Sequence, residues 1–107
     1  MKKFLSEIDY KTGQIAFLDE FLRLDLPYIE QIDILREDLL QVVFDLPSVC
    51  EYILDIGWYP SFDLDGEFKV FLIKNQNWES PISVVKTKDP CDLCSVVENA
   101  IDKIYNE

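Results

Sequence analysis

The chain has 107 residues and a mass of 12.6 kDa, which is the size of one ordinary domain spanning 1–107. Hydrophobic residues make up 49% of it and charged residues 29%, so it can bury a core and is not an intrinsically disordered chain. It carries 21 Asp and Glu against 10 Lys and Arg, a formal charge of −11, which disfavours direct contact with nucleic acid or an anionic membrane and favours a basic partner.

The chain contains no histidine, which is the commonest general base near neutral pH and the commonest metal ligand. We therefore expect a binding protein rather than an enzyme, with no catalytic residues, no cofactor and no metal. Residues 1–13 lack the apolar run of a signal peptide, and no stretch approaches the roughly 18 apolar residues of a membrane span. These features predict a cytoplasmic protein.

Apolar residues at helical spacing dominate the first 37 positions. The spacing predicts three helices, of which the first is short and covers 4–8 and the third covers 28–37. Between them it predicts a helix over 15–22, with a buried stripe made of Ile15, Leu18, Phe21 and Leu22. Pro27 separates the second helix from the third, because proline disfavours helical geometry in the residue before it.

Four short apolar runs then predict four strands, over 39–44, 52–59, 68–73 and 82–85. The cluster Asp45-Leu46-Pro47-Ser48 predicts the first turn, and Asp63-Leu64-Asp65-Gly66 predicts the second, with the glycine at a position of positive φ. Because the connections are short, we expect the strands to pair antiparallel. In the second run, Trp58 shares one strand face with Leu54 and Ile56 and is expected to be buried.

Asp89 and Pro90 predict the start of a closing helix, with Asp89 as its N-cap and Pro90 at its first position. Its buried stripe consists of Leu93, Val96, Val97, Ile101 and Ile104. The expected fold is therefore α+β: N-terminal helices, a four-stranded antiparallel β-meander and a C-terminal helix, in two layers.

Three cysteines offer a different interpretation of the chain. Cys91 and Cys94 form a CxxC motif at the start of the closing helix, whose N-terminus is expected to lower thiol pKa values, and Cys50 is the third. A thioredoxin-like site needs a preceding βαβ unit, and a structural zinc site needs four ligands. We therefore favour three reduced thiols, and a small cysteine-based redox or metal-binding protein remains the alternative.

Acidic residues accumulate between Arg36 and Lys69, an interval without any basic residue. It holds eight acids: Glu37, Asp38, Asp45, Glu51, Asp55, Asp63, Asp65 and Glu67. Such a run either keeps the domain dispersed or meets a cationic protein. Asp63 and Asp65 also resemble the start of a calcium loop, but its twelfth position is Lys74 instead of glutamate. We expect an exposed acidic turn.

Residues 36–82 resemble a group of small bacterial immunity proteins. The resemblance is carried by residues 38–42 (DLLQV), 52–60 (YILDIGWYP) and 65–69 (DGEFK), with Trp78 and Pro81. Proteins of this group are encoded beside polymorphic toxins, including those of contact-dependent growth inhibition. The resemblance implies a protein without catalytic residues that binds the C-terminal toxin domain of its own lineage and blocks its action. Many of these toxins are basic nucleases.

The sequence therefore predicts an immunity protein that neutralises a basic toxin domain through a 1:1 complex. The residues expected to face that partner are Asp55, Tyr59, Asp63, Asp65, Glu67 and Trp78. A further alternative is an acidic protein that imitates DNA and binds DNA-binding proteins in general.

Overall fold

In the part of the chain that the structure describes, the main regular elements are an antiparallel sheet and one α-helix. The computed structural model describes residues 2–46 and 50–106. The strands are β1 (Gln14–Leu18), β2 (Leu40–Leu46), β3 (Cys50–Tyr59), β4 (Glu67–Lys74) and β5 (Ser83–Thr87), and the helix is α1 (Pro90–Tyr105). The strands pair in the order in which they follow one another along the chain, from β1 to β5. The predicted α+β class, the antiparallel meander and the closing helix are confirmed.

The sheet has two unlike faces because apolar residues alternate along its central strands. On the face that we call the inner face, Leu54 of β3 pairs with Val42 of β2 and with Leu72 of β4, and all three are buried in the core. Trp58 lies on this same face and is fully buried, as expected. We call the opposite side of the sheet the outer face.

Helix α1 covers part of the inner face, where it packs against β4 and β5. It begins as predicted, because the Asp89 side chain accepts a hydrogen bond from the backbone N–H of Cys91 at 2.9 Å and Pro90 occupies the first turn. Most of its predicted stripe is buried: Leu93, Val97, Ile101 and Ile104. Among the described residues, no helix is long and apolar enough to span a membrane.

The prediction of a helix over 15–22 is wrong, because residues Gln14–Leu18 form the edge strand β1. Its pairing with β2 skips a residue between Ile15 and Phe17, which makes a bulge. An exposed, bulged edge strand lacks the alternation that identifies a strand, and the spacing of its apolar residues happens to match a helix. The sheet therefore has five strands rather than four.

The other two predicted N-terminal helices shrink to 3-10 helices, Leu5–Glu7 and Tyr28–Ile34. The second includes a kink at Gln31, whose buried side chain bonds the backbone carbonyls of Arg23 and Leu26. Together with the irregular segments around them, these helices complete the cover of the inner face through Leu5, Ile8, Tyr10, Leu22, Leu24, Leu35 and Leu39.

The β3–β4 turn also differs from its prediction. No glycine among the described residues has a positive φ, whereas Phe62 has φ of 62°. Gly66 is required for another reason, since a Cβ at this position would lie 2.6 Å from Nε1 of Trp58 and 2.8 Å from the carbonyl oxygen of Tyr59. Of the turn predicted at Asp45-Leu46-Pro47-Ser48, Asp45 and Leu46 are instead the last residues of β2, and Pro47 and Ser48 lie outside the described residues.

Candidate binding surface

The outer face of the sheet carries a continuous row of side chains across all five strands. The register places Phe17, Gln41, Asp55, Phe71 and Val84 side by side, one on each strand from β1 to β5. We call these residues the central row. Phe17 and Val84 are 43% and 42% exposed. Among the described residues, the helices all pack on the inner face, so no helix covers this row.

An irregular extension of β2, residues 36–39, runs along β3 beside the central row. The N–H of Trp58 donates to the carbonyl of Arg36 at 2.8 Å, and the N–H of Leu39 donates to the carbonyl of Ile56 at 3.0 Å. Between these bonds the carbonyl of Glu37 passes over the outer face of Gly57, where a Cβ would lie only 2.0 Å from its oxygen. Glycine at position 57 therefore allows this close crossing.

The extension and the central row together enclose a cavity of about 470 Å³. Its lining includes Phe17, Gln41 and Asp55 from the row and Arg36 and Asp38 from the extension. The Arg36 guanidinium is engaged elsewhere, because its Nη2 lies 3.1 Å from Oδ2 of the buried Asp19. The carboxylates of Asp38 and Asp55 therefore share this cavity without an ion-pair partner.

Burial, followed by the nearby negative charge of Asp38, raises the pKa of Asp55 to about 6. Tyr59, two residues along β3, also has a raised pKa, first because of burial and then because of the charges of Asp55, Glu37 and Asp38. The outer face near the extension is thus a partly desolvated surface of negative potential.

Asp55 is expected to make the folded state less stable as the pH rises from about 4 to about 6. Its folded pKa lies above the ordinary aspartate value, so in this window the native state binds more protons than the unfolded chain, and unfolding becomes easier as they are released. Asp55→Asn should remove this pH dependence and raise the free energy of unfolding at pH 7 by about 1 kcal/mol. This value is smaller than the difference in pKa alone would give, because solvent reaches the partly exposed carboxylate.

Urea denaturation of the two proteins between pH 3.5 and 8 measures this difference. Asp45→Asn serves as the control, because Asp45 is an exposed acid on the same face. A difference between wild type and Asp55→Asn that stays constant across the whole pH range would contradict a raised pKa.

The β3–β4 turn adds exposed acids next to the extension. The N–H of Asp65 donates to Oδ1 of Asp63 at 2.9 Å, and the N–H of Phe62 donates to the carbonyl of Leu35 at 2.7 Å, which holds the turn against the end of the extension. Phe62, in its left-handed conformation, and Leu64 present exposed apolar side chains between these acids. The turn thus combines negative charge with apolar surface.

Six acids lie in the half of the sheet that runs from Asp55, at the centre of β3, to the β3–β4 turn, and we call this half the acidic end: Glu37, Asp38, Asp55, Asp63, Asp65 and Glu67. In the described part of the chain the ion pairs are Lys2–Glu98, Arg23–Asp25 and Arg36–Asp19, so none involves an acid of this group. The charges of the acidic end are therefore left without an ion-pair partner in the free protein.

The structure brings together five of the six residues expected to face a partner. Asp55, Asp63, Asp65 and Glu67 belong to the acidic end, and Tyr59 pairs directly with Glu67 across β3 and β4. Trp78 is 45% exposed but lies in the β4–β5 loop, at the end of the sheet where Tyr52 pairs with Lys74. It thus lies at the opposite end of β3 from the turn acids Asp63, Asp65 and Glu67.

The cysteines lie in two different places. Cys50 begins β3, whereas Cys91 and Cys94 lie in the first part of α1, and all three are free thiols. Burial, and then the charge of Glu98, raises the pKa of Cys94, which is opposite to the direction expected from a helix N-terminus. Within the described ranges, no three acidic or cysteine side chains gather as a metal site.

The sequence did not identify Phe17 and Phe71 as surface residues, or Asp38 as the neighbour of Asp55. Phe17 was hidden by the wrong helix prediction, and Phe71 belongs to a run that is apolar on both strand faces. Only the pairing of distant strands places them beside Asp55. The sequence signal that could have indicated this surface is an acid at the centre of a predicted strand, as Asp55 is in residues 52–59.

The outer face of the sheet thus carries acidic and aromatic side chains, and no described helix packs on it. No family model, no curated protein and no solved structure matches this chain.

Proposed function

We propose that this protein is an immunity protein, which binds a basic toxin domain in the cytoplasm and neutralises it through a 1:1 complex without catalysis. The observation that carries the proposal is the acidic end, where six acids lie together without an ion-pair partner among the described residues. A cationic protein would offset the mutual repulsion of these acids, and their field would accelerate its approach.

The similarity of residues 36–82 to immunity proteins supports the same proposal from the sequence. Its motifs cover most of β3, the two ends of the β3–β4 turn and the start of β4, together with part of the extension and the first residues of β2. They contain four of the six acids of the acidic end: Asp38, Asp55, Asp65 and Glu67. Toxin domains that act on nucleic acid carry basic grooves, so a surface of this kind fits them by charge.

Co-expression tests the proposal directly. The protein is produced together with the C-terminal domain of the toxin encoded next to it, and growth rescue and co-purification are measured. Rescue with a stoichiometric complex is expected. If growth is not rescued and the two proteins do not co-purify, the proposal is wrong.

Removing charge from the turn is expected to slow binding. In the variant Asp63→Asn, Asp65→Asn, Glu67→Gln, three charges disappear while the side-chain shapes are kept. The association rate with the toxin domain should fall about tenfold at low salt, with a much smaller change in the dissociation rate, because exposed charges act mainly on the encounter. Stopped-flow or surface-binding kinetics at several salt concentrations measure both rates.

A matched variant controls for net charge alone. Glu79→Gln, Asp92→Asn, Asp102→Asn also removes three exposed charges, but away from the acidic end. It should leave the association rate close to that of wild type. Equal rates and salt slopes for the wild type and both variants would mean that the acidic turn takes no part in binding.

A further inference from the structure

The central row of the outer face combines apolar side chains with a partly desolvated carboxylate. We propose that the toxin domain docks on this row and places an arginine side chain in the cavity lined by Phe17, Asp38 and Asp55. The inference rests on the proposed function, because it takes the partner to be a basic protein. It adds the face of contact and the chemical group that is recognised.

The apolar members of the row provide the contact surface. Phe17 and Val84 at its two ends are each more than two-fifths exposed, and Phe71 beside Asp55 is partly exposed. The row spans four inter-strand spacings, about 19 Å. Protein interfaces commonly have such a centre, in which aromatic residues surround a few polar groups.

Charge determines the kind of side chain that fits the cavity. Asp55 lies in the row between Gln41 and Phe71, and Asp38 and Arg36 of the extension line the same cavity. Lys69 lies two residues from Phe71 on the same face of β4, with its ammonium over the ring of Tyr59 at 5.5 Å. The carboxylates of Asp38 and Asp55 repel one another, and neither Arg36, which pairs with Asp19, nor Lys69 forms an ion pair with them in the described structure. A cation from the partner would offset both this repulsion and the cost of burying Asp55.

An arginine fits this cavity better than a lysine does. Its planar guanidinium can donate forked hydrogen bonds to carboxylates and at the same time stack against an aromatic ring. The two carboxylates and the exposed ring of Phe17 supply both kinds of contact. A lysine ammonium is a point charge that can bond the carboxylates but cannot stack on the ring as a planar guanidinium does.

A second copy of this chain fits the face poorly. On the outer face, the strands carry four acids, Asp45, Glu51, Asp55 and Glu67, and two lysines, Lys69 and Lys86. Two such faces would bring eight carboxylates and only four ammonium groups together, so that they would repel one another. The net charge of −11 on each chain adds to this repulsion.

The experiment uses the isotope-labelled full chain and N-acetyl-arginine methylamide as the probe. The Asp55 carboxyl signal is followed by NMR through a pH titration, with and without the probe. N-acetyl-citrulline methylamide, which has the same shape without the charge, and the corresponding lysine amide are the controls. The arginine probe is expected to move the Asp55 titration to lower pH and to shift the signals of Phe17 and Gln41, whereas the citrulline probe is not.

Two variants make the result specific. Asp55→Asn should lose the shifts at Phe17 and Gln41, and Asp45→Asn should keep them. The inference is overturned if citrulline or lysine acts as strongly as arginine, if the exposed Asp102 responds as much as Asp55, or if Asp55→Asn still responds. A dimer in sedimentation equilibrium that dissociates on Phe17→Ser would also overturn it, in favour of a second copy.

The same variants separate this inference from the proposed function. If the protein rescues growth but Asp55 does not respond to the probe, the docking inference is wrong and the function stands. If Asp55 responds but no toxin domain is neutralised, the proposed function is wrong. When both hold, Asp55→Asn should weaken the complex at least tenfold, while Asp45→Asn changes it less than threefold.

Discussion

Replacing Trp58 with alanine is expected to lower the free energy of unfolding by about 3–5 kcal/mol. The side chain is fully buried, it stacks on Tyr28 with ring centroids 5.2 Å apart, and it meets the edge of Phe68 at 4.9 Å. Its indole N–H also donates to the carbonyl of Asp63 at 2.8 Å. Alanine would leave a cavity and remove one of the two hydrogen bonds that the Asp63 carbonyl accepts, the other coming from the N–H of Gly66 at 2.9 Å.

Chemical denaturation measures this loss, and the other tryptophan of the chain provides the control. Trp78 is 45% exposed, so Trp78→Ala should change the free energy of unfolding by less than about 0.5 kcal/mol. If Trp58→Ala unfolded at the same denaturant concentration as the wild type, the packing of Tyr28, Trp58 and Phe68 described above would be wrong.

Gly57→Ala is expected to cost about 2–3 kcal/mol, although it adds only one methyl group. The new Cβ would lie 2.0 Å from the carbonyl oxygen and 2.7 Å from the carbonyl carbon of Glu37. These are backbone atoms, so the extension over residues 36–39 must move away from β3. That movement would also displace Asp38 from Asp55, and the pKa of Asp55 should fall toward its ordinary value.

Gly13→Ala is the matched control for this substitution. A Cβ at Gly13 would meet the side chains of Phe44 and Val42 rather than backbone atoms, and side chains can give way more easily. Its cost, measured by thermal or urea unfolding, should therefore be smaller than that of Gly57→Ala. A larger cost at Gly13 would show that the crossing of Glu37 over Gly57 is not a tight contact.

Strong local signals explain which elements could be predicted from the sequence. α1 has a cap at Asp89, a proline at its first position and a regular apolar stripe, and β3 is a long apolar run ended by Pro60. β1 has no such signal, because it is a bulged edge strand whose partner lies some 25 residues further along the chain. Its apolar residues therefore fit a helical period as well as an extended strand.

The candidate surface was predictable only in part, for a related reason. The acids of the turn, Asp63 and Asp65, are neighbours in sequence, so their clustering is visible without a fold. The cavity beside Asp55 instead needs Phe17 from β1 and Asp38 from the extension, which only the pairing of β1, β2 and β3 brings together. Sequence patterns predict faces of elements but not which faces meet.

The Asp55 carboxylate is expected to strengthen binding of the partner and to destabilise the free protein. Asp55→Asn is expected to make the protein more stable at neutral pH and to make the complex weaker. A residue that only supports the structure would change both in the same direction. Opposite effects on stability and on affinity are expected when a destabilising group serves binding. Both effects can be measured on a single variant.

The irregular cover of the inner face has a consequence for the order of events during synthesis. Residues 2–39 leave the ribosome before α1 does, but Leu5, Ile8 and Leu22 pack in a core that α1 completes only with residues 90–105. The backbone N–H of Thr12 donates to the hydroxyl of Tyr105, 93 residues further along the chain. A nascent chain arrested before α1 lacks this part of the core, and we expect such chains to aggregate or to be captured by chaperones.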